Sequence, residues 1–273
     1  MTGPVPPAAG ARQHVPTYGV LLRARSGAEL VVDVPLGHGQ DPEVLLTRAG
    51  WRIERPVAAC REGAGVGRVV IEYAVRAASP CAPPQRLLGP EPVTMRRPVG
   101  ETVDVPDPGV AAITRQRVSA AALVLADVPP GVRDSLGRRG PGGPAVLATR
   151  YSGAALRWDG AWGLPGGGLD EGEEPVEAAR RESYEETGQD VTIGELAFVQ
   201  SAHWVGRSPA GVLEDFHAVR LVYRGHCAEP GDVAVLDAGG TTAQAAWVPL
   251  GRAAQVEWAP GPAEQLQALG VLP

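Results

Sequence analysis

The sequence predicts an α/β fold in its C-terminal part, preceded by a small α+β unit. Three observations carry this. Valine- and leucine-rich runs with strand character flank a helix pattern over 174–187, prolines recur every few residues over 79–109, and two pairs of apolar runs surround one helix signal before that. Repeated proline favours extended linker over packed structure, so the chain divides there.

Residues 1–16, MTGPVPPAAGARQHVP, are Pro/Ala/Gly-rich and read as a flexible tail. Residues 18–23 and 29–34 are strands joined at Ser26-Gly27. Asp41 then supplies an N-cap with Pro42 at the first helical position, giving a helix over 42–49 that Gly50 stops. Residues 51–59 and 68–77 form a second strand pair around 63–67. The result is a ββαββ domain over 17–78, with packing, dimerisation or substrate covering as its expected role. A proline-rich linker covers 79–115. In the domain at 116–273, strands are expected at 118–125, 145–151, 196–204, 216–223 and 245–250, and a last helix at 263–269.

Composition excludes several classes. The formal net charge of −6 argues against a dedicated nucleic-acid binder, which needs a basic surface to neutralise phosphates. All 25 residues in the Lys+Arg count are arginine, a bias that follows the Ala, Gly and Pro richness of the chain. Cys60, Cys81 and Cys227 make no Cys-x-x-Cys pair, against a zinc ribbon or a disulfide framework. No apolar leader or run of about 18 apolar residues is present, so a cytoplasmic protein without membrane partners is expected.

The chemistry concentrates in 162–189, WGLPGGGLDEGEEPVEAARRESYEETGQ. Pro175 falls in the first turn of the helix, where its missing N–H costs nothing, and Gly188 suits the C-terminal cap. Glu182, Glu185 and Glu186 lie at i, i+3 and i+4, on one face. Like charges so placed repel, and negative charge near a helix C-terminus opposes the dipole. A cation offsets both costs, and carboxylate oxygens suit Mg²⁺ or Mn²⁺. A solvated acidic face is the ordinary alternative. The tight turn expected at Gly166, Gly167 and Gly168 leaves room for a ligand beside the backbone.

The joint spacing is specific: Gly167, five residues, Glu173, seven residues, Arg181-Glu182, then Glu185-Glu186 and Gly188. It resembles the signature of the Nudix hydrolases, with Ser183 and Gln189 standing where that pattern has aliphatic residues. The resemblance implies an α/β/α sandwich with a mixed sheet over about 118–269. It further implies hydrolysis of a pyrophosphate bond in a nucleoside diphosphate linked to another moiety. Mg²⁺, or Mn²⁺, would be held by Glu182, Glu185, Glu186 and the Gly167 carbonyl, with Glu173 and Arg181 paired to brace the turn. Glu182 is the expected base within the motif, and Glu214 the candidate outside it. The partner is then a nucleotide-derived small molecule. A catalytically silent nucleotide sensor or regulator, whose N-terminal unit signals or dimerises, is the competing picture, and a homodimer is open under either. Trp204 and Gly206 stand about where relatives with known preferences carry a proline or tyrosine, so the substrate stays open.

Other residues attract weaker readings. Arg133, Arg138 and Arg139 offer guanidinium to a diphosphate, or are simply solvated. Trp162 and Trp204 could stack a base or pack in the core. His203, His217 and His226 do not form a recognised ligand pair and are expected to be hydrogen-bonded structure.

Overall fold

The structure, a computed structural model, describes residues 18–93, 101–102, 111–152, 158–208, 211–237 and 240–273. The expected tail at 1–16 and much of the expected linker lie outside these.

The N-terminal unit is a five-stranded mixed sheet with one short helix. Strands β1 (Gly19–Ser26) and β2 (Glu29–Pro35) form a hairpin at Gly27, whose φ of 59° favours glycine. Helix α1 (Pro42–Arg48) starts at Asp41, whose carboxylate accepts from the N–H groups of Glu43 and Val44, both at 2.9 Å. Strands β3 (Trp51–Glu62) and β4 (Arg68–Ala77) complete the expected ββαββ order. Sheet order is β3-β4-β1-β2-β5, where β5 (Leu87–Leu88) is a fifth strand from the stretch read as linker. Pro56 is tolerated within β3 because β3 is the sheet edge.

The C-terminal part is a mixed α/β fold. Its strands are β6 (Glu101–Thr102), β7 (Ile113–Val128), β8 (Gly143–Tyr151), β9 (Trp162–Gly163), β10 (Gly166–Gly168), β11 (Thr192–Arg207), β12 (Leu213–His226) and β13 (Thr242–Pro249). Order runs β13-β8-β7-β12-β11-β6, with β10 paired to β7 and β9 to β8. Helix α2 (Pro175–Thr187) lies on one face and α3 (Pro260–Ala268) on the other. A 3-10 turn over Leu250–Gln255 precedes α3. Period-2 alternation along β7 explains the split: Val118 and Ala120 pack with Ala178 and Ala179 of α2, while Ala121 and Leu123 pack with Leu266 of α3.

The two units share a core. Tyr18, Leu22, Val32, Ile71 and Tyr73 form one buried cluster with Val118, Ala178, Leu221 and Tyr223. The N-terminal sheet therefore covers the sheet face beside α2. Polar contacts follow the same seam: the Arg61 N–H donates to Glu174 at the start of α2, at 2.9 Å, and the Tyr18 hydroxyl donates to the Asp170 carbonyl. All three cysteines are free, and among the described residues no helix is long and apolar enough to cross a membrane.

A shared core should unfold as a unit. Leu221→Ala removes a fully buried side chain from that seam. It is expected to lower stability by about 2–5 kcal/mol while keeping a single cooperative transition in urea. Two separated transitions in the wild-type protein would contradict the shared core.

Candidate active site

Helix α2 matches its expected limits. Gly188 caps it in the left-handed region at φ 69°, and its N–H bonds the Tyr184 carbonyl. The two motif departures are absorbed locally. Ser183 is buried, with its hydroxyl donating to the Ala179 carbonyl at 2.6 Å. Gln189 donates to the Asp232 carbonyl at 2.9 Å and accepts from the Gly231 N–H at 3.0 Å.

The expected glycine turn is instead a short strand. Gly166, Gly167 and Gly168 pair with Ala121, Ala120 and Ser119 of β7, and the reversal comes later, where Gly172 takes φ 82°. The glycines are required by crowding. A Cβ on Gly166 would lie 2.4 Å from the Ala120 carbonyl oxygen, and one on Gly167 2.4 Å from Glu182 Oε1.

Strand parity also moves the expected carbonyl ligand. The Ala122 N–H bonds the Pro165 carbonyl, so alternation along the antiparallel pair turns the polar groups of Gly167 toward β7. Those of Gly166 and Gly168 face the helix. The Gly166 N–H donates to Glu186 Oε2 at 2.9 Å, and the Gly168 carbonyl accepts from Arg181 at 3.0 Å. The carbonyl turned toward the carboxylates is thus that of Gly166, one residue before the expected Gly167.

Arg181 organises the acidic side chains. It binds Glu173 through two parallel contacts, 2.8 and 2.9 Å, and its third nitrogen donates to Glu182 at 2.8 Å and Glu185 at 3.0 Å. Burial raises the Glu173 carboxyl, yet the bonds from Arg181 and the Asp170 N–H outweigh it and hold it below the usual range. Glu182 is raised by burial, against the opposing charge of Arg181. Glu186, 6% exposed, is pushed up to about 7 by burial despite hydrogen bonds from Thr242 and Gly166.

Glu182 and Glu186 therefore border the glycine strand, while Glu185 leans out onto Arg181. Among the described residues, the three carboxylates do not converge on one point. The donor set still fits a hard divalent cation: three carboxylates beside an outward-facing carbonyl, one of them buried against neutral donors only at its two hydrogen-bonded oxygens. Glu214 is not brought to this cluster. It pairs with Arg115 at 2.6 Å, and its register lies seven residues along β12 from Leu221, which sits level with Gly167 across Ala120. That is about 23 Å of strand.

Other expectations resolve too. Arg133 pairs with Asp232 at 2.7 Å, tying its loop to the segment after β12, and Arg138 pairs with Asp134 of its own loop at 2.7 Å. Trp204 packs on Phe216, ring centroids 4.5 Å apart, and Trp162 packs in the cluster beneath α3. Sequence reasoning named Gly166 only as part of the glycine run, and it missed Thr242 and Arg220. Arg220 approaches the Tyr151 hydroxyl at 3.4 Å and exerts its charge on Glu186. Thr242 lies 56 residues from Glu186, and no local pattern marks it.

The NUDIX domain family model matches residues 134–269. The chain carries a Nudix domain over these residues. Among relatives, an RNA pyrophosphohydrolase of Bartonella quintana is 58% identical over 40 residues, 15% of this chain and 23% of that protein. One of Azorhizobium caulinodans is 33% identical over 112 residues, 35% of this chain and 63% of its own length. The match thus spans less than two thirds of either relative. A Nudix hydrolase structure from M. smegmatis, RenU, aligns over 57% of this chain and 84% of its own, at 23% identity and a TM-score of 0.39. The Nudix signature residues Glu173, Arg181, Glu182, Glu185 and Glu186 all lie on or beside α2.

Glu186 gives the metal-free Nudix site a pH signature. A carboxyl raised from 4.5 to about 7 on folding binds its proton more tightly in the folded state. Stability is then lost as pH rises through that window, by a few kcal/mol at most. In chelator-treated protein the melting temperature is expected to fall between about pH 4.5 and 7, and Glu186→Gln to flatten that slope. An unchanged slope in the variant would assign it elsewhere.

Proposed function

We propose that this Nudix domain is a Mg²⁺-dependent hydrolase cleaving the pyrophosphate bond of a nucleoside diphosphate linked to another moiety. Mn²⁺ is an alternative ion. The observation that carries the reading is the meeting of α2 with the glycine strand, Glu186 on the Gly166 N–H and Glu182 against Gly167, with Glu185 held by the same Arg181 that binds Glu182. Glu182, Glu185, Glu186 and the Gly166 carbonyl would hold the ion. When bound, it supplies charge neutralisation on phosphate oxygens and acidifies an attacking water.

The protein's own residues do the rest. Arg181, anchored bidentately on Glu173, fixes Glu182 in orientation, and Glu182 takes the proton of the attacking water. Arg220, which bonds the Tyr151 hydroxyl and acts by its charge on Glu186, would receive a phosphate oxygen as charge gathers there. The relatives are named RNA pyrophosphohydrolase, which supports hydrolysis of the same kind of bond here. The net charge of −6 favours a small nucleotide-derived substrate over an extended RNA tract.

A phosphate-release screen over a nucleotide panel, with and without Mg²⁺, tests the reading. Metal-dependent turnover of at least one compound is expected, and Glu186→Gln should lower it more than about a hundredfold, roughly 2.7 kcal/mol of barrier. Tight nucleotide binding with no turnover across the panel would favour the silent sensor.

A further inference from the structure

A second group of ligand-type side chains lies away from the carboxylate helix. His38, in the turn between β2 and α1, meets His203 of β11 and Asp215 of β12. One ligand atom from each lies within 4.8 Å of the others. Both Nε2 atoms converge on Asp215 Oδ1, at 3.0 Å from His38 and 2.5 Å from His203. All three side chains are mostly buried, 11% exposed for each histidine and 19% for the aspartate.

The placement is built. His203 pairs with His217 and Val205 with Asp215, so His203 and Asp215 are diagonal neighbours on one sheet face. That face also carries Val219 and Leu221, which the N-terminal unit covers. His38 reaches it from a turn closed by Gly37 and Gln40, whose backbone bond is 3.0 Å. Gly39, at φ 71°, lies against the His203 ring, where a Cβ would come within 2.8 Å of Nδ1. His217 stays out of the ligand set, because its nitrogens face Ser201 at 2.9 Å and Gln116 at 2.8 Å. Two imidazoles share one acceptor oxygen, and His203 Nδ1 is buried with no hydrogen-bond partner among the described residues.

We infer that His38, His203 and Asp215 form a site for a divalent transition-metal ion of the Zn²⁺ class, which staples the N-terminal unit to the Nudix sheet. Two imidazoles and one carboxylate suit a borderline-soft ion rather than Mg²⁺. Tetrahedral coordination at zinc–nitrogen distances sets ligand atoms about 3.3 Å apart, so an ion would need the two nitrogen–oxygen pairs to open by about 0.3 and 0.8 Å. The site is separate from the hydrolytic one: Asp215 lies six residues along β12 from Leu221, about 20 Å of strand.

The test uses the full chain, stripped with a chelator and titrated calorimetrically with Zn²⁺ in excess Mg²⁺. One Zn²⁺ per chain is expected, bound with micromolar or tighter affinity, on the order of 10⁻⁶ M. Binding should raise the melting temperature. His38→Ala and Asp215→Asn should each weaken it at least about tenfold, whereas the doubly substituted Glu185→Gln, Glu186→Gln protein should keep it. Visible absorption of a Co²⁺ complex in the wild-type protein provides a readout that needs no variant. No saturable Zn²⁺ binding, or binding lost in the glutamate variant and kept in Asp215→Asn, overturns the site. Failure of the phosphate-release screen would leave this result untouched.

Discussion

Helix α2 stands close to β10, and the rest of the site depends on that approach. A helix face bearing glutamates can sit over a strand only if the strand presents no side chain toward it: at Gly167 even a methyl group would collide with Glu182, and at Gly166 it would collide with β7 on the other side. The approach puts the Gly166 N–H on Glu186 and the Glu182 carboxylate against the Gly167 α-carbon. It also forces α2 to bury small residues below, Ala178 and Ala179, because larger ones would lift it away. Burying Glu186 so deeply costs solvation, which is why its carboxyl is raised.

The second constraint is cover. The sheet face that receives α2 is wider than α2, and the N-terminal sheet closes the remainder with its own apolar side chains. The seam then fixes the loop between β10 and α2 from outside, through Tyr18 on Asp170 and the Arg61 backbone on Glu174. Arg181 fixes the same loop from inside, through Glu173 and Gly168. The N-terminal unit is therefore part of what holds the candidate catalytic helix in register. Its packing alone gives it a role without any contact to substrate.

Most of the helix was legible because its signals are local. Pro175 at the start, Gly188 at the end and the i, i+3, i+4 acids need only a dozen residues of context. The Glu173–Arg181 pair, two turns apart, was also within reach. Strand pairing is not local. The carbonyl offered to a ligand is decided by which β7 residue opposes which glycine, and that shifts the expected atom from Gly167 to Gly166. Glu214 misled for a related reason: closeness in sequence to a strand start says nothing about which end of the sheet it occupies, and Arg115 claims it there. β5 and β6, only two residues each, came from proline-rich sequence that carries no strand period.

The histidines show the same limit most sharply. His203 and His217 have no useful spacing along the chain, and the reading of them as structure holds for His217, which bonds Gln116 and Ser201. It holds for His203 as well, which bonds Asp215, but it does not anticipate His38, 165 residues away in the turn between β2 and α1. The two donor sets also differ in hardness, oxygen at α2 and imidazole with one carboxylate at the seam, so one ion type need not compete for both. A clamp at the far end of β11 and β12 would act on the same interface that braces the β10–α2 loop, since both lie under the N-terminal sheet. Loss of that interface would free the loop that Glu173 and Arg181 hold, and with it the orientation of Glu182.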